Sequence, residues 1–189
     1  MPASRTDAGA KVSRQLQSAD FQGAEFYCIA LGSNRMSAEH GDPRANVRAA
    51  MLALQRLGSL ERSSDIVETE PLGPSRRRFA NAAILLRCDL DPPKLLAGLK
   101  AIERHFGRRR GRRWGARVID LDIILWSGGA YRNATLTIPH PAFRIRSFVL
   151  KPAAQIAAEW RDPATGLSVR QLLLRHNHPK PLDRAPRTL

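Results

Sequence analysis

The stretch Arg117-Val118-Ile119-Asp120-Leu121-Asp122-Ile123-Ile124-Leu125-Trp126 (RVIDLDIILW) decides how this chain is read. It predicts a β-strand, and strand side chains alternate between faces. Ile119, Leu121, Ile123 and Leu125 share one wholly apolar face that requires a core. Val118, Asp120, Asp122, Ile124 and Trp126 share the other. Two neighbouring carboxylates repel unless a cation lies between them or one takes up a proton. Mg2+ suits such oxygen ligands, since it takes one or two carboxylates and completes its shell with substrate phosphates. Arg108, Arg109, Arg110, Arg112, Arg113 and Trp114 stand just upstream, and guanidinium groups match phosphate oxygens. The pattern fits a metal–nucleotide site on the open face of a sheet. It fits equally an edge strand with two solvated aspartates.

Working outward, the length of 189 residues suits one domain with its own core. The 43% hydrophobic content argues for a globular protein. No apolar run approaches the roughly 20 residues of a membrane span. Residues 1–24 lack the apolar core of a secretory signal and read as a polar, flexible leader. Cys28 and Cys88 each lie in an apolar stretch and are expected as buried thiols in a reducing cytoplasm. Lys and Arg together number 31 against 17 Asp plus Glu, a net charge of +14. Such a balance implies an anionic partner, either nucleic acid or a polyphosphate.

Glu25 to Leu31 reads as a first buried strand running into the turn Gly32-Ser33-Asn34. No Gly-Lys-Ser/Thr follows, so this is not a phosphate-binding P-loop. Asp42-Pro43 caps a helix carrying Val47, Ala50, Met51, Leu54 and Leu57, and Gly58 ends it. Leu60 to Thr69 reads as a second strand, and Pro71 to Arg78 as a basic loop. Phe79 to Leu90 is a third strand, in which Asn81 stands among small apolar residues. Its amide either bonds to backbone or reads a planar heterocycle by donating and accepting together. Asp91-Pro92 caps a second helix with Leu95, Leu96, Leu99, Ile102 and Phe106 on its stripe. Glu103 lies near its C-terminal end, where the helix dipole disfavours an anion, so it calls for a partner or lies in solvent. A second basic loop, Arg108 to Trp114, leads into the opening strand. Leu136 to Ile138 is a short strand, and His140, fixed between prolines, is either a turn residue or a phosphate donor. Arg144, Arg146 and Phe148 alternate; Phe148, Val149 and Leu150 pack; and Gly166 to Leu174 suggests a last helix.

The order strand, helix, strand, strand, helix, strand predicts an α+β, ferredoxin-like split β-α-β sandwich with a C-terminal extension. Its helices are expected on one face of the sheet and the Asp pair on the other. Residues matching a known family run in order: Ile29 to Asn34 (IALGSN), Glu68 to Gly73, Phe79 to Ala82, Arg113 to Asp122 (RWGARVIDLD), Ile138 to Pro141 and Arg146 to Leu150. With them the chain resembles the hydroxymethyl-dihydropterin pyrophosphokinase (HPPK) family over about residues 25–175.

The resemblance implies transfer of diphosphate from ATP to the hydroxymethyl group of 6-hydroxymethyl-7,8-dihydropterin in folate biosynthesis, releasing AMP. It implies two Mg2+ ions held with ATP by Asp120 and Asp122. Catalytic work falls to those residues with Arg108, Arg110 and Arg117. The ATP site takes Glu103, Arg108, Arg110, Arg113, Arg117, Ile123, Thr137, His140 and Arg146. The pterin pocket takes Thr69, Glu70, Leu72, Phe79, Asn81, Trp114 and Phe148. Both basic loops, 71–78 and 107–113, would close over the substrates as lids. Two departures stand out: Val67 replaces a common tyrosine, and Lys100 replaces a glutamine near the adenine. The expected protein is a cytoplasmic monomer with residues 25–175 as catalytic domain and 176–189 as irregular tail. It would have no membrane or nucleic-acid partner. An RNA-binding module of the same topology is the rival, but Asp120 and Asp122 would repel phosphate without a metal. A scaffold that has lost activity is disfavoured by the intact Asp pair, His140 and arginines.

Overall fold

The computed structural model describes residues 25–69, 78–107 and 118–178. In chain order these form β1 (Glu25–Ser33), α1 (Pro43–Leu54), β2 (Ser59–Ser63), β3 (Val67–Thr69), β4 (Phe79–Cys88) and α2 (Pro92–His105). There follow β5 (Asp120–Trp126), β6 (Tyr131–Arg132), β7 (Thr137–Ile138), a 3-10 turn (Phe143–Ile145), α3 (Ser147–Ala157) and α4 (Val169–Asn177). The leader, most of the 71–78 loop, the basic loop with Arg117, and the tail from 179 lie outside the described residues.

Local chemistry explains the early helices. The Asp42 side chain accepts from the Ala45 N–H at 2.8 Å, and Pro43 opens α1. Asp91 accepts from the Lys94 N–H at 2.9 Å and does the same for α2. Gly58 is required by space: a Cβ there would lie 2.2 Å from the Arg87 carbonyl oxygen and 2.6 Å from the Cys88 Cβ. Only a bare backbone lets this connection cross β4 so closely.

The main sheet is antiparallel in the order β2-β4-β1-β5, with β3 also pairing β4. Taken together, β2 and β3 are one strand broken at Ser64. The Ser64 N–H donates to the Ala83 carbonyl and its hydroxyl accepts from the Ala83 N–H, each at 2.9 Å. The side chain thus completes the ladder where the backbone leaves it, and the strand expected over 60–69 is two pieces. Counted so, the strand order is second, third, first, fourth, the ferredoxin-like arrangement.

Two cores lie on opposite faces. The first packs Tyr27, Ile29, Leu31, Ile84, Leu86 and Leu121 against Val47, Leu54, Leu95 and Leu99 of α1 and α2. The second packs Phe26, Cys28, Leu85 and Ile124 against Val149, Leu150, Ala153 and Ile156 of α3 and Leu172 of α4. The second face was expected to be open, so α3 is a correction. Its stripe, Val149, Leu150, Ala153, Ile156 and Ala157, has helical spacing. Pro152 within the helix and the absence of a side-chain N-cap hide that signal. Both cysteines are buried free thiols, and burial pushes the Cys28 thiol up to about 12. No helix among the described residues is long and apolar enough to cross a membrane.

β5 also departs from simple alternation. Ile29 aligns with Ile123 but Cys28 aligns with Leu125, so one extra residue is inserted. Past that bulge the faces exchange. Leu125 joins the second core, and Trp126 turns to the first, stacking on Tyr27 with ring centroids 6.2 Å apart. The expected grouping of Leu125 with Ile123, and of Trp126 with Asp122, is corrected by this bulge.

A buried ion pair helps fasten the C-terminal extension. Asp162, fully buried, accepts from Arg144 Nε at 2.7 Å and from Arg144 Nη2 at 2.6 Å. It also accepts from the Thr165 hydroxyl at 2.6 Å. Burial raises the Asp162 pKa, but the bonds from Arg144, Thr165 and the Ala164 N–H outweigh it and hold the group below the usual carboxylate range. Stability from a depressed carboxylate is complete above the unfolded value, about 3.9, and is lost as pH falls through the folded value. Asp162→Asn is expected to cost about 2–3 kcal/mol at pH 7. In urea titrations the gap from the unsubstituted protein should hold at pH 6 and narrow below about pH 4.

Candidate functional site

The site is assembled by register. Across the sheet Val67 faces Asn81, Asn81 faces Gly32, and Gly32 faces Asp120. Directly opposed residues in antiparallel strands project to the same face. One step along, Ala83 faces Ala30, and Ala30 faces Asp122. Thr69, paired with Phe79, falls on that face too. Nine positions from four strands thus share one end of one face, with Asn81 and the carboxylates on opposite sides of a strip of Gly32 and Ala30. Among the described residues, a Cβ built on Gly32 would have only Asn81 Oδ1 within 4 Å, at 3.5 Å. The floor is therefore low between two polar walls.

Asn81 is buried, and its amide nitrogen donates to the Thr69 hydroxyl at 2.8 Å. That bond sets the amide's orientation, with Oδ1 toward the Gly32 strip. Phe148, in the first turn of α3, is half-buried against the second core. The Arg146 guanidinium lies 5.8 Å from its ring centroid, within cation–π range. Arg146 and Phe148 therefore form a unit, although the sequence suggested only an alternation. Asp120 and Asp122 are each partly buried. Their α-carbons lie about 6.5–7 Å apart by strand geometry, and the donor set is oxygen only. No group of three or more His, Cys, Asp or Glu gathers for a metal among the described residues. The pair suits Mg2+, which leaves most positions to water and phosphate oxygens.

His140 docks on the outer edge of β5, its N–H donating to the Ile124 carbonyl at 3.0 Å. Its Nδ1 accepts from the Ala142 N–H at 3.2 Å, which leaves the ring proton on Nε2. Burial pushes the His140 pKa down. Asp122 and Asp120 oppose that shift, and Arg146 and Lys100 reinforce it. The imidazole thus lies in the combined field of the carboxylates and the cations.

β7, carrying Thr137, lies against β5, and the Ile123 side chain is in the first core. From Ile123 only backbone is available to a ligand. Glu103 is fully buried, not a surface residue. Its Oε1 accepts from Lys100 Nζ at 2.6 Å and from the Leu121 N–H at 3.0 Å. Sequence reasoning missed Asn46, which is also fully buried. Its amide donates to the Ser33 hydroxyl at 3.2 Å and to the Arg35 carbonyl at 2.8 Å, fixing the turn after β1. The available signal was a polar residue on the apolar stripe of α1. Glu70, Leu72, Arg108, Arg110, Arg113, Trp114 and Arg117 lie outside the described residues.

This is an α+β sandwich with a carboxylate pair and a fixed amide facing each other at one end of its sheet. Residues 28–158 match the family model described as 7,8-dihydro-6-hydroxymethylpterin-pyrophosphokinase (HPPK). The chain belongs to the HPPK family. It is 43% identical over 124 residues to 2-amino-4-hydroxy-6-hydroxymethyldihydropteridine pyrophosphokinase of Synechocystis, covering 66% of this chain and 64% of that protein. The Haemophilus influenzae enzyme of the same name is 39% identical over 134 residues, covering 69% of this chain and 81% of that protein. The crystal structure of wild-type Plasmodium falciparum HPPK-DHPS shares the fold, with a TM-score of 0.65 at 13% identity, over 85% of this chain and 46% of that one.

Because Gly32 forms the floor without backbone strain, Gly32→Ala should leave stability within about 1 kcal/mol by urea titration. The added methyl should nonetheless weaken binding of a planar ligand at least about tenfold, measured by calorimetry.

Proposed function

We propose that this chain carries out its family's reaction: it moves the diphosphate of ATP as a unit onto the hydroxymethyl group of 6-hydroxymethyl-7,8-dihydropterin, releasing AMP. The observation that carries this reading is the row Asn81–Gly32–Asp120, which sets a heterocycle-reading amide and a carboxylate pair a strip of small residues apart. The pterin lies on that strip. Asn81 reads its edge, held in orientation by Thr69, and Phe148 supplies a ring to stack on its face. Phe79 shares the same face one step along the strand. ATP lies at β5, where Ile123 and Thr137 offer backbone, and where His140 and Arg146 face its phosphates.

Asp120 and Asp122 would hold Mg2+ with the nucleotide, and that metal would supply neutralisation of charge on the phosphate oxygens. The chain's own part is positioning and electrostatics, the main work of phosphoryl-type transfer. The hydroxymethyl oxygen attacks the β-phosphorus, and its proton passes to bulk water as the new P–O bond forms. The bond from that phosphorus to the α,β-bridging oxygen breaks, and AMP leaves with the electron pair. His140 donates its Nε2 proton in a hydrogen bond to a phosphate oxygen, and Arg146 adds a fixed positive charge. Residues 25–175 are the catalytic domain.

The test is AMP release from ATP and Mg2+, with and without hydroxymethyl-dihydropterin. Release should depend on the pterin, on Mg2+ (abolished by EDTA and restored by added Mg2+) and on Asp122, with Asp122→Ala at least about 10³-fold slower. Pterin-independent or Asp122-independent release would overturn the reading. Asn81→Leu should raise KM for the pterin at least about tenfold and KM for ATP less than about threefold, by initial rates.

A further inference from the structure

We propose that Lys100 and Glu103 are positioning residues that stand in for a neighbouring strand at Leu121 and thereby fix both carboxylates of β5. The proposal rests on the reading of Asp120 and Asp122 given above.

Among the described residues, β5 is the terminal strand of its sheet. An antiparallel edge strand turns the N–H and C=O of every second residue outward, where no partner strand meets them. At Leu121 both groups are met by side chains of α2. The N–H donates to Glu103 Oε1 at 3.0 Å, and the carbonyl accepts from Lys100 Nζ at 3.2 Å. Lys100 Nζ and Glu103 Oε1 are themselves bonded at 2.6 Å. The carboxylate and ammonium thus copy the acceptor and donor of a strand residue, three positions apart on one helix face. Charge-assisted bonds of this kind are roughly twice as strong as neutral ones. They also offset the cost of a carboxylate with no solvent exposure near a helix C-terminus.

Where the clamp falls gives it a functional meaning. The Leu121 N–H belongs to the peptide unit joining Asp120 to Leu121. The Leu121 carbonyl belongs to the unit joining Leu121 to Asp122. Glu103 therefore fixes one plane beside the carboxylate pair and Lys100 fixes the other. With the Leu121 side chain in the first core, the directions of the Asp120 and Asp122 side chains are set from behind. Lys100, which stands where the resemblance puts a glutamine in some members of the family, makes the clamp an ion pair.

Amide hydrogen exchange on the ligand-free protein, together with initial-rate kinetics, tests this. In Glu103→Ala, exchange at Leu121 should quicken at least about tenfold while exchange at Ile29 in β1 is unchanged. The value of kcat should fall at least about tenfold, with KM for ATP shifting less than about threefold. Glu103→Gln, which keeps the acceptor oxygen, should restore Leu121 protection and most of kcat. Lys100→Met removes only the partly exposed ammonium and makes the same comparison if Glu103→Ala does not fold. A raised KM for ATP with kcat and Leu121 exchange unchanged would overturn the proposal and make Glu103 a nucleotide contact. Loss of kcat with Leu121 still protected would overturn it as well. If the unsubstituted protein released no AMP, the reading of the reaction would fail, while the exchange comparison would still decide the clamp.

Discussion

The register of β1 against its two neighbours is the constraint on which everything else depends. β1 is the one strand hydrogen-bonded along its length to both β4 and β5, so it alone decides which of their side chains share a face. Gly32 faces Asn81 on one side and Asp120 on the other. A slip of one residue on either side would send a whole set of side chains through the sheet. On the β5 side it would put two carboxylates into the first core and turn Leu121 and Ile123 to the face that carries the site. The apolar face of β5 and the site therefore specify the same register. Ala30 and Gly32 add depth, since larger residues there would fill the space between the polar walls.

Much of this was legible in the sequence because it rests on local chemistry. Asp42-Pro43 and Asp91-Pro92 announced two helices, and period-two alternation put Asp120 and Asp122 on one face. Asn81 stood out as an amide in a small apolar setting. Illegible features depend on contacts distant in the chain. The bulge at Ile123–Leu125 is an event between β1 and β5, invisible in a run of apolar residues that satisfies either phase. The break at Ser64 exists because its hydroxyl finds the Ala83 N–H, 19 residues away. α3 was hidden by Pro152 and by the lack of a cap, although its apolar stripe is regular. Glu103 was suspected of having a partner because of its place on α2. That one of its partners is a backbone amide of β5 shows only in the packing of helix on strand.

The two cores divide their tasks. The first, under α1 and α2, holds the strands from below the site. The second, under α3 and α4, brings Arg146 and Phe148 to its rim from a part of the chain that is not in the β-α-β repeat at all. Arg144, bound to Asp162, anchors the short turn between His140 and Arg146 onto the C-terminal extension. Placement of the histidine and arginine is thus tied to an ion pair behind them, away from the ligand face. Family membership covers residues 28–158, so Arg144 lies within the matched region while its partner Asp162 lies beyond it.

The outer edge of β5 has a consequence for how the protein behaves in solution. Asp-Leu-Asp-Ile-Ile-Leu-Trp is the kind of apolar strand that, left at the rim of a sheet, offers a row of unmet peptide groups to another molecule. Here the Leu121 positions are taken by Lys100 and Glu103, and the Ile124 carbonyl by the His140 N–H. The bulge at Ile123–Leu125 bends the strand away from the flat geometry that a second chain would need. The same contacts that surround the candidate site therefore blunt this apolar edge against intermolecular pairing.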